Sequence, residues 1–114
     1  MTKTIRIRKA DGTWAVRAAG AVIAESANAL ELSEEGYAEV IYFPREDMAM
    51  AVLDATDHAT TCPHKGNASY FDIVGTNRTV QNGAWCYEDP LEQVAEIAGH
   101  IAFYPGEYVK VEQL

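Results

Sequence analysis

Turn-forming residues interrupt this chain often, and most of the segments between them are of strand length. Asp11-Gly12, Gly20, Gly36, Pro44, Gly75-Thr76-Asn77, Asn82-Gly83, Gly99 and Pro105-Gly106 fall at short intervals. Gly supplies the backbone freedom that tight turns need, and Pro removes a ladder donor. Strand-length segments remain between them. TIRIR (residues 4–8) alternates Ile with Arg, the period-two pattern of a half-buried strand. TWAVRA is its expected hairpin partner across Asp11-Gly12. AVIAES (21–26) follows Gly20, and AEVIYF (38–43) follows Gly36. NALEL (28–32) alternates again, with Ala29 and Glu31 on one face and Leu30 and Leu32 on the other. ASYFDIV (68–74) sets Tyr70, Asp72 and Val74 on one face. Asn82-Gly83 predicts a two-residue hairpin turn into AWCYE (84–88), and IAFY with EYVKVE predicts a last hairpin around Pro105-Gly106.

Two segments read as short helices. PREDMAMAVLDA has Pro44 at a first helical position, acidic residues in the first turn, and Met48, Val52 and Ala55 at helical spacing. DPLEQVAEIAG has Asp89 as cap, Pro90 as start, Glu92 three residues after the cap, and Gly99 as stop. Leu91, Val94, Ala95 and Ala98 form its buried stripe. The expected fold is therefore mainly β, a single antiparallel domain over residues 1–114 with two short helices. The order is not an alternating βαβ pattern, which argues against a parallel doubly wound sheet. Ile5, Ile7, Trp14, Val16, Val22, Val40, Phe43, Phe71, Ile73, Val94, Ile97 and Phe103 are expected to share one core.

The length of 114 residues and the 48% apolar content suit one globular core. The formal net charge is −8, from 9 basic and 17 acidic side chains. That balance argues against a nucleic-acid partner and against an anionic membrane surface, both of which need a basic face. No stretch approaches the roughly 18 apolar residues of a membrane-spanning helix. MTKTIRIRK lacks the apolar centre and cleavage site of a signal peptide, so a cytoplasmic location is expected. Cys62 and Cys86 are the only cysteines and are expected to stay as thiols there. An aromatic-rich exposed edge would suit a homodimer.

The segment TTCPHKGNASY concentrates chemistry-bearing residues. Cys62 beside Lys65 and His64 reads either as a reactive thiol or as a small buried side chain at a strand end. A metal site would have to gather Cys62, His64, Cys86 and either His58 or His100 from across the fold, and no metal or other cofactor is expected. The Lys-Gly order followed by a strand does not match a phosphate-binding loop. A looser anion site from Lys65 and Arg45 stays open. Trp85 and Tyr87 share one strand face and, with Tyr70, would form an aromatic wall for a planar ligand. Tyr42 and Arg45 would line its polar side, with Glu25, Ser26 and Glu31 as further candidates. If Glu31 is buried, it should pair with Arg45 or Lys65.

YFPREDM, TCPHKGNASY and GAWCYEDP, in this order, between AVIAES and IAFY, resemble the small bacterial family called domain of unknown function 427. In that family a YFPR segment, a TCP-x-KG-x-A-x-Y segment and an AW-x-Y-x-x-P segment recur. The resemblance spans from about Arg17 to Val111. It implies no assigned activity, although the family carries a nucleotidyltransferase-like label. It also implies a fold similar to the β-tent, which zinc-binding domains and one class of methionine sulfoxide reductases share. Zinc-binding β-tents use two Cys-x-x-Cys pairs; this chain has none, which implies a β-tent without structural zinc.

Residues and resemblance together lead to a small-ligand-binding domain. Its ligand is an unidentified small molecule, anionic or planar. Its pocket is expected to hold Tyr42, Arg45, Cys62, Lys65, Tyr70, Trp85, Tyr87 and Glu31. Two alternatives stay open: a thiol-based enzyme with Cys62 as catalytic group, and an acidic protein-interaction module.

Overall fold

The computed structural model describes residues 4–114. Residues 1–3, which open the segment read against a signal peptide, lie outside the described residues. Mainly β structure is what forms. The strands are β1 (Ile5–Lys9), β2 (Trp14–Ala18), β3 (Ala21–Ser26), β4 (Leu30–Glu34), β5 (Val40–Tyr42), β6 (Leu53–Cys62), β7 (Gly66–Val74), β8 (Thr79–Cys86), β9 (Ile101–Phe103) and β10 (Val109–Gln113). They make three antiparallel sheets, in the orders β1-β4-β5, β10-β2-β3 and β6-β7-β8-β9. Among the described residues, no helix is long and apolar enough to cross a membrane.

The β6–β9 sheet is covered on both faces, and strand alternation assigns each residue to a side. Ala84 and Cys86 of β8, with Ile101 and Phe103 of β9, face a cluster shared with Val16, Ala18 and Ile23. Tyr87, Ala102, Ala68 and Tyr70 face a second cluster with Leu32, Tyr42, Val94 and Ile97. Two clusters replace the single core expected from sequence. β5 splits the same way: Ile41 and Phe43 belong to the first cluster and Tyr42 to the second. An antiparallel bridge between Phe43 and Ile101 joins the first sheet to the third, with N–H···O distances of 2.8 and 2.9 Å.

Several local expectations are corrected. TIRIR does not pair with TWAVRA; β1 pairs with β4, and β2 lies between β10 and β3. The chain changes sheets at Asp11-Gly12, where Asp11 O accepts from Trp14 Nε1 and Gln113 Nε2. β9 and β10 likewise go to different sheets, with β9 on β8 and β10 on β2. Asn82-Gly83 is not a hairpin turn but a bulge inside β8. Phe71 pairs with Ala84 and Ile73 with Val80, so three residues of β8 stand opposite Asp72. The Asn82 N–H donates to Asp72 Oδ1 at 2.8 Å, and Asn82 tolerates the φ of 50° this requires. Val22 is 50% exposed rather than in the core. A bulge on β3 buries neighbouring Ile23 and Ala24 together and turns Val22 outward.

Neither predicted helix is an α-helix. PREDMAMAVLDA gives two 3-10 turns, Arg45–Asp47 and Met50–Val52, and then enters β6. The Ala49 N–H bonds Ile23 O at 2.8 Å, so tertiary pairing to β3 outcompetes a continuous helix. The second segment is a 3-10 stretch, Glu92–Ile97, kinked at Val94, with Leu91 in the capping position in place of Asp89. Val94 and Ile97 are its buried residues.

Candidate functional site

TTCPHKGNASY is the turn from β6 into β7. Cys62 pairs with Gly66 across it, and the Lys65 N–H returns to Cys62 O at 3.2 Å. Gly66 has a φ of +113° and packs against the backbone of Asp89, Pro90 and Leu91. Two bonds tie the turn to that segment: Leu91 N–H to Lys65 O at 2.9 Å and Gln93 Nε2 to His64 O at 2.6 Å. The turn is thereby held at the mouth of a cavity.

That cavity has a volume of about 890 Å³. It opens where β5 and β9 part beyond the Phe43–Ile101 bridge, so both clusters reach it: Ile41 and Phe103 from one, Tyr42 and Trp85 from the other. Its lining includes Glu31, Tyr42, Cys62, Lys65, Tyr70, Trp85 and Tyr87, seven positions singled out from sequence. The rings touch one another. Tyr42 meets Trp85 edge-on at 6.3 Å between centroids, Trp85 meets Tyr104 at 4.3 Å, and Tyr104 stacks near-parallel to Tyr70 at 6.4 Å. Their polar atoms are joined as well. Trp85 Nε1 donates to Tyr42 Oη at 3.3 Å, and Tyr70 Oη shares bonds with Thr60 Oγ1 at 2.8 Å and Tyr104 Oη at 3.2 Å.

The His58 ring packs edge-on against Tyr70 at 4.4 Å between centroids, and the lining also carries an internal charged pair. Lys65 Nζ bonds Glu34 Oε1 at 2.8 Å, with the two side chains 13% and 9% exposed. The same ammonium donates to Cys62 Sγ at 3.6 Å. Burial alone would lower the Lys65 pKa, but the bond to Glu34 and the neighbouring Cys62 outweigh it and hold it above the ordinary lysine value. Burial pushes the phenols of Tyr42 and Tyr87 up, with Lys65 opposing the shift at Tyr87. Burial and the Tyr70 hydroxyl push Tyr104 up to about 12. All three phenols are therefore neutral donors near pH 7.

Arg45 is not brought to the cavity. It lies on the 3-10 turn after Pro44, and its Nε donates to Gly99 O at 2.7 Å. Its Nη2 contacts Glu88 and donates to Cys86 Sγ at 3.4 Å, and the guanidinium lies over the Phe71 ring. These partners hold the guanidinium on the far side of β8. Glu31 does line the cavity, but its partner is Arg8, directly opposite it across β1 and β4, at 2.8 Å. Neither Arg45 nor Lys65 fills that role. Ser26 is buried and bonds Asp47 at 2.6 Å, away from the cavity. Cys62 and Cys86 also stand apart, since Cys62 lines the cavity and Cys86 is buried in the opposite cluster. Among the described residues, no three His, Cys, Asp or Glu side chains gather as a metal site would require.

Sequence reading missed Glu34, Tyr37 and Tyr104. Tyr104 sits just past β9, and its pattern signal was absorbed into an expected hairpin. Glu34 is one of several acidic residues around a turn, and only the strand pairing shows which one meets Lys65. No curated protein matches this chain. Residues 6–114 match the family described as Domain of unknown function (DUF427), and the chain belongs to that family.

Proposed function

We propose that the cavity at the parting of β5 and β9 binds a small planar or apolar molecule. One observation carries this reading: the aromatic residues are concentrated there. Both tryptophans, five of the six tyrosines and one of the three phenylalanines line this cavity. A volume near 890 Å³ falls in the range that small-molecule sites occupy, roughly 300–1,000 Å³. Apolar rings with a few fixed polar atoms are the usual composition of such sites. The tyrosine hydroxyls and the Trp85 N–H supply orientation.

Of the two ligand types expected from sequence, the planar one fits better. The anionic one loses its support because Arg45 points elsewhere and Lys65 is already neutralised by Glu34. Indole is a suitable planar probe. Titrated into labelled protein, it is expected to shift the Trp85 indole N–H resonance and the Tyr104 ring signals. Absence of any shift at millimolar indole would count against the cavity as a binding site.

A second reading keeps Cys62 as a reactive group, because its sulfur lines the cavity 3.6 Å from the Lys65 ammonium. It requires that Cys62 react with iodoacetamide faster than a free model thiol at pH 7. Slower labelling removes it.

A further inference from the structure

The charge around the aromatic cavity has a sign. Three carboxylates, Glu31, Glu34 and Glu39, belong to its lining, against one ammonium, Lys65. Lys65 is matched by Glu34, and Glu31 is matched by Arg8, whose own side chain is 63% exposed and outside the lining. Glu39 is exposed at the rim. The rings add to this. An aromatic face carries the negative end of the ring quadrupole, and phenols held neutral keep that face intact without adding full charge. The whole chain carries a formal charge of −8, so the long-range field has the same sign.

We infer that the cavity prefers a ligand with an alkylammonium group, seated against the rings of Trp85 and Tyr104 with its charge toward Glu39 at the rim. This rests on the cavity-binding reading above and adds the chemical class of the ligand. A quaternary or methylated ammonium is the form that rings hold best, because it sheds water easily and has no N–H bonds to lose. An anion would meet Glu39 with its own sign and find Lys65 and Arg8 engaged by Glu34 and Glu31.

The test compares choline with 3,3-dimethylbutan-1-ol, its uncharged isostere, and includes indole as the neutral planar probe. Binding is read from chemical shifts at the Trp85 indole and the Tyr104 ring. Choline is expected to bind about tenfold more tightly than the alcohol, the size of a partly desolvated cation–π contact. Tyr104→Leu, at a half-exposed position, keeps apolar bulk and removes one ring face; it is expected to lower the choline-to-alcohol ratio several-fold. Equal or tighter binding of the alcohol overturns the charge preference and leaves the cavity reading intact. So does indole binding with no response to choline, or a ratio unchanged by Tyr104→Leu. No response to any of the three probes overturns both.

Discussion

Replacing Lys65 with Met should destabilise the fold in a way that depends on pH. Lys65 and Glu34 are 2.8 Å apart with side chains 13% and 9% exposed, so their mutual bond stands in for the water each has lost. Met fills most of the volume of the lysine stem, which limits the packing loss. What it cannot supply is the charge. The carboxylate left behind is in the costly state, a nearly buried anion without its partner, and breaking fully buried pairs this way costs about 3–5 kcal/mol. A stranded carboxylate can escape by taking up a proton. For an ordinary carboxyl group that costs about 1.36 kcal/mol per pH unit above roughly 4.3, which is about 4 kcal/mol at pH 7 and about 1 kcal/mol at pH 5. The expected loss is therefore about 2–4 kcal/mol at pH 7, shrinking to about 1 kcal/mol at pH 5.

Urea unfolding followed by tryptophan fluorescence at the two pH values reads both numbers. Adding Glu34→Gln to Lys65→Met should recover most of the pH 7 loss, because no charge then remains to be satisfied. A loss equal at pH 5 and pH 7 would refute the reasoning and assign the effect to packing of the lysine stem. A loss below about 1 kcal/mol at pH 7 would mean that solvent screens the pair as it screens surface pairs.

Three further outcomes follow from particular contacts. A Cβ on Gly75 would lie 2.4 Å from Ala19 Cβ, whereas one on Gly106 meets nothing within 4 Å; Gly75→Ala should cost about 1–3 kcal/mol and Gly106→Ala well under 1 kcal/mol in the same urea assay. Tyr42, Tyr87 and Tyr104 have raised pKa values, so the stability they contribute is whole below pH 10 and is lost as pH climbs through their folded values; absorbance at 295 nm should show part of the tyrosine signal titrating late, and a single transition near pH 10 for all six would contradict this. Cys86 is fully buried with its thiol pKa pushed up by burial, against the pull of Arg45, so iodoacetamide should modify Cys62 alone in the native protein and reach Cys86 only on unfolding, as peptide mass spectrometry would show.

The strands were legible where period-two alternation met a turn former, as at Ile5–Lys9 and Gly66–Val74. β6 was not, because Leu53–Cys62 is mostly polar and exposed and follows a segment with helical spacing. Its partner β7 holds it as a strand, and partners are invisible in a single sequence. Asn82-Gly83 misled for a related reason. The pair needs a backbone that accepts positive φ, and a bulge inside β8 asks for this as readily as a hairpin turn does. The 3-10 stretch at Glu92–Ile97 kept the buried Val94 that helical spacing predicts, but short tertiary anchors at Lys65 O and His64 O left no room for a full α-helix.

The site shows the same division. Residue types told which side chains are fit for a pocket, and strand alternation correctly set Trp85 and Tyr87 apart from Cys86. Direction is what local pattern lacks. Tyr42 and Arg45 are three residues apart, yet the turn at Pro44 sends one into the cavity and the other across β8 to Glu88 and Gly99. Moving that single cation off the lining changes what the cavity can recognise. With Arg45 inside, two cations would face the rings and an anion would fit; with Arg45 outside and Lys65 matched by Glu34, the surplus charge on the lining is negative. Arg45→Met therefore separates the two pictures. It should weaken the fold by about 1–2 kcal/mol through its lost hydrogen bonds, and it should leave choline and indole affinity unchanged. A rise in choline affinity at undiminished folded fraction would place Arg45 back at the site and reverse the sign of the charge argument.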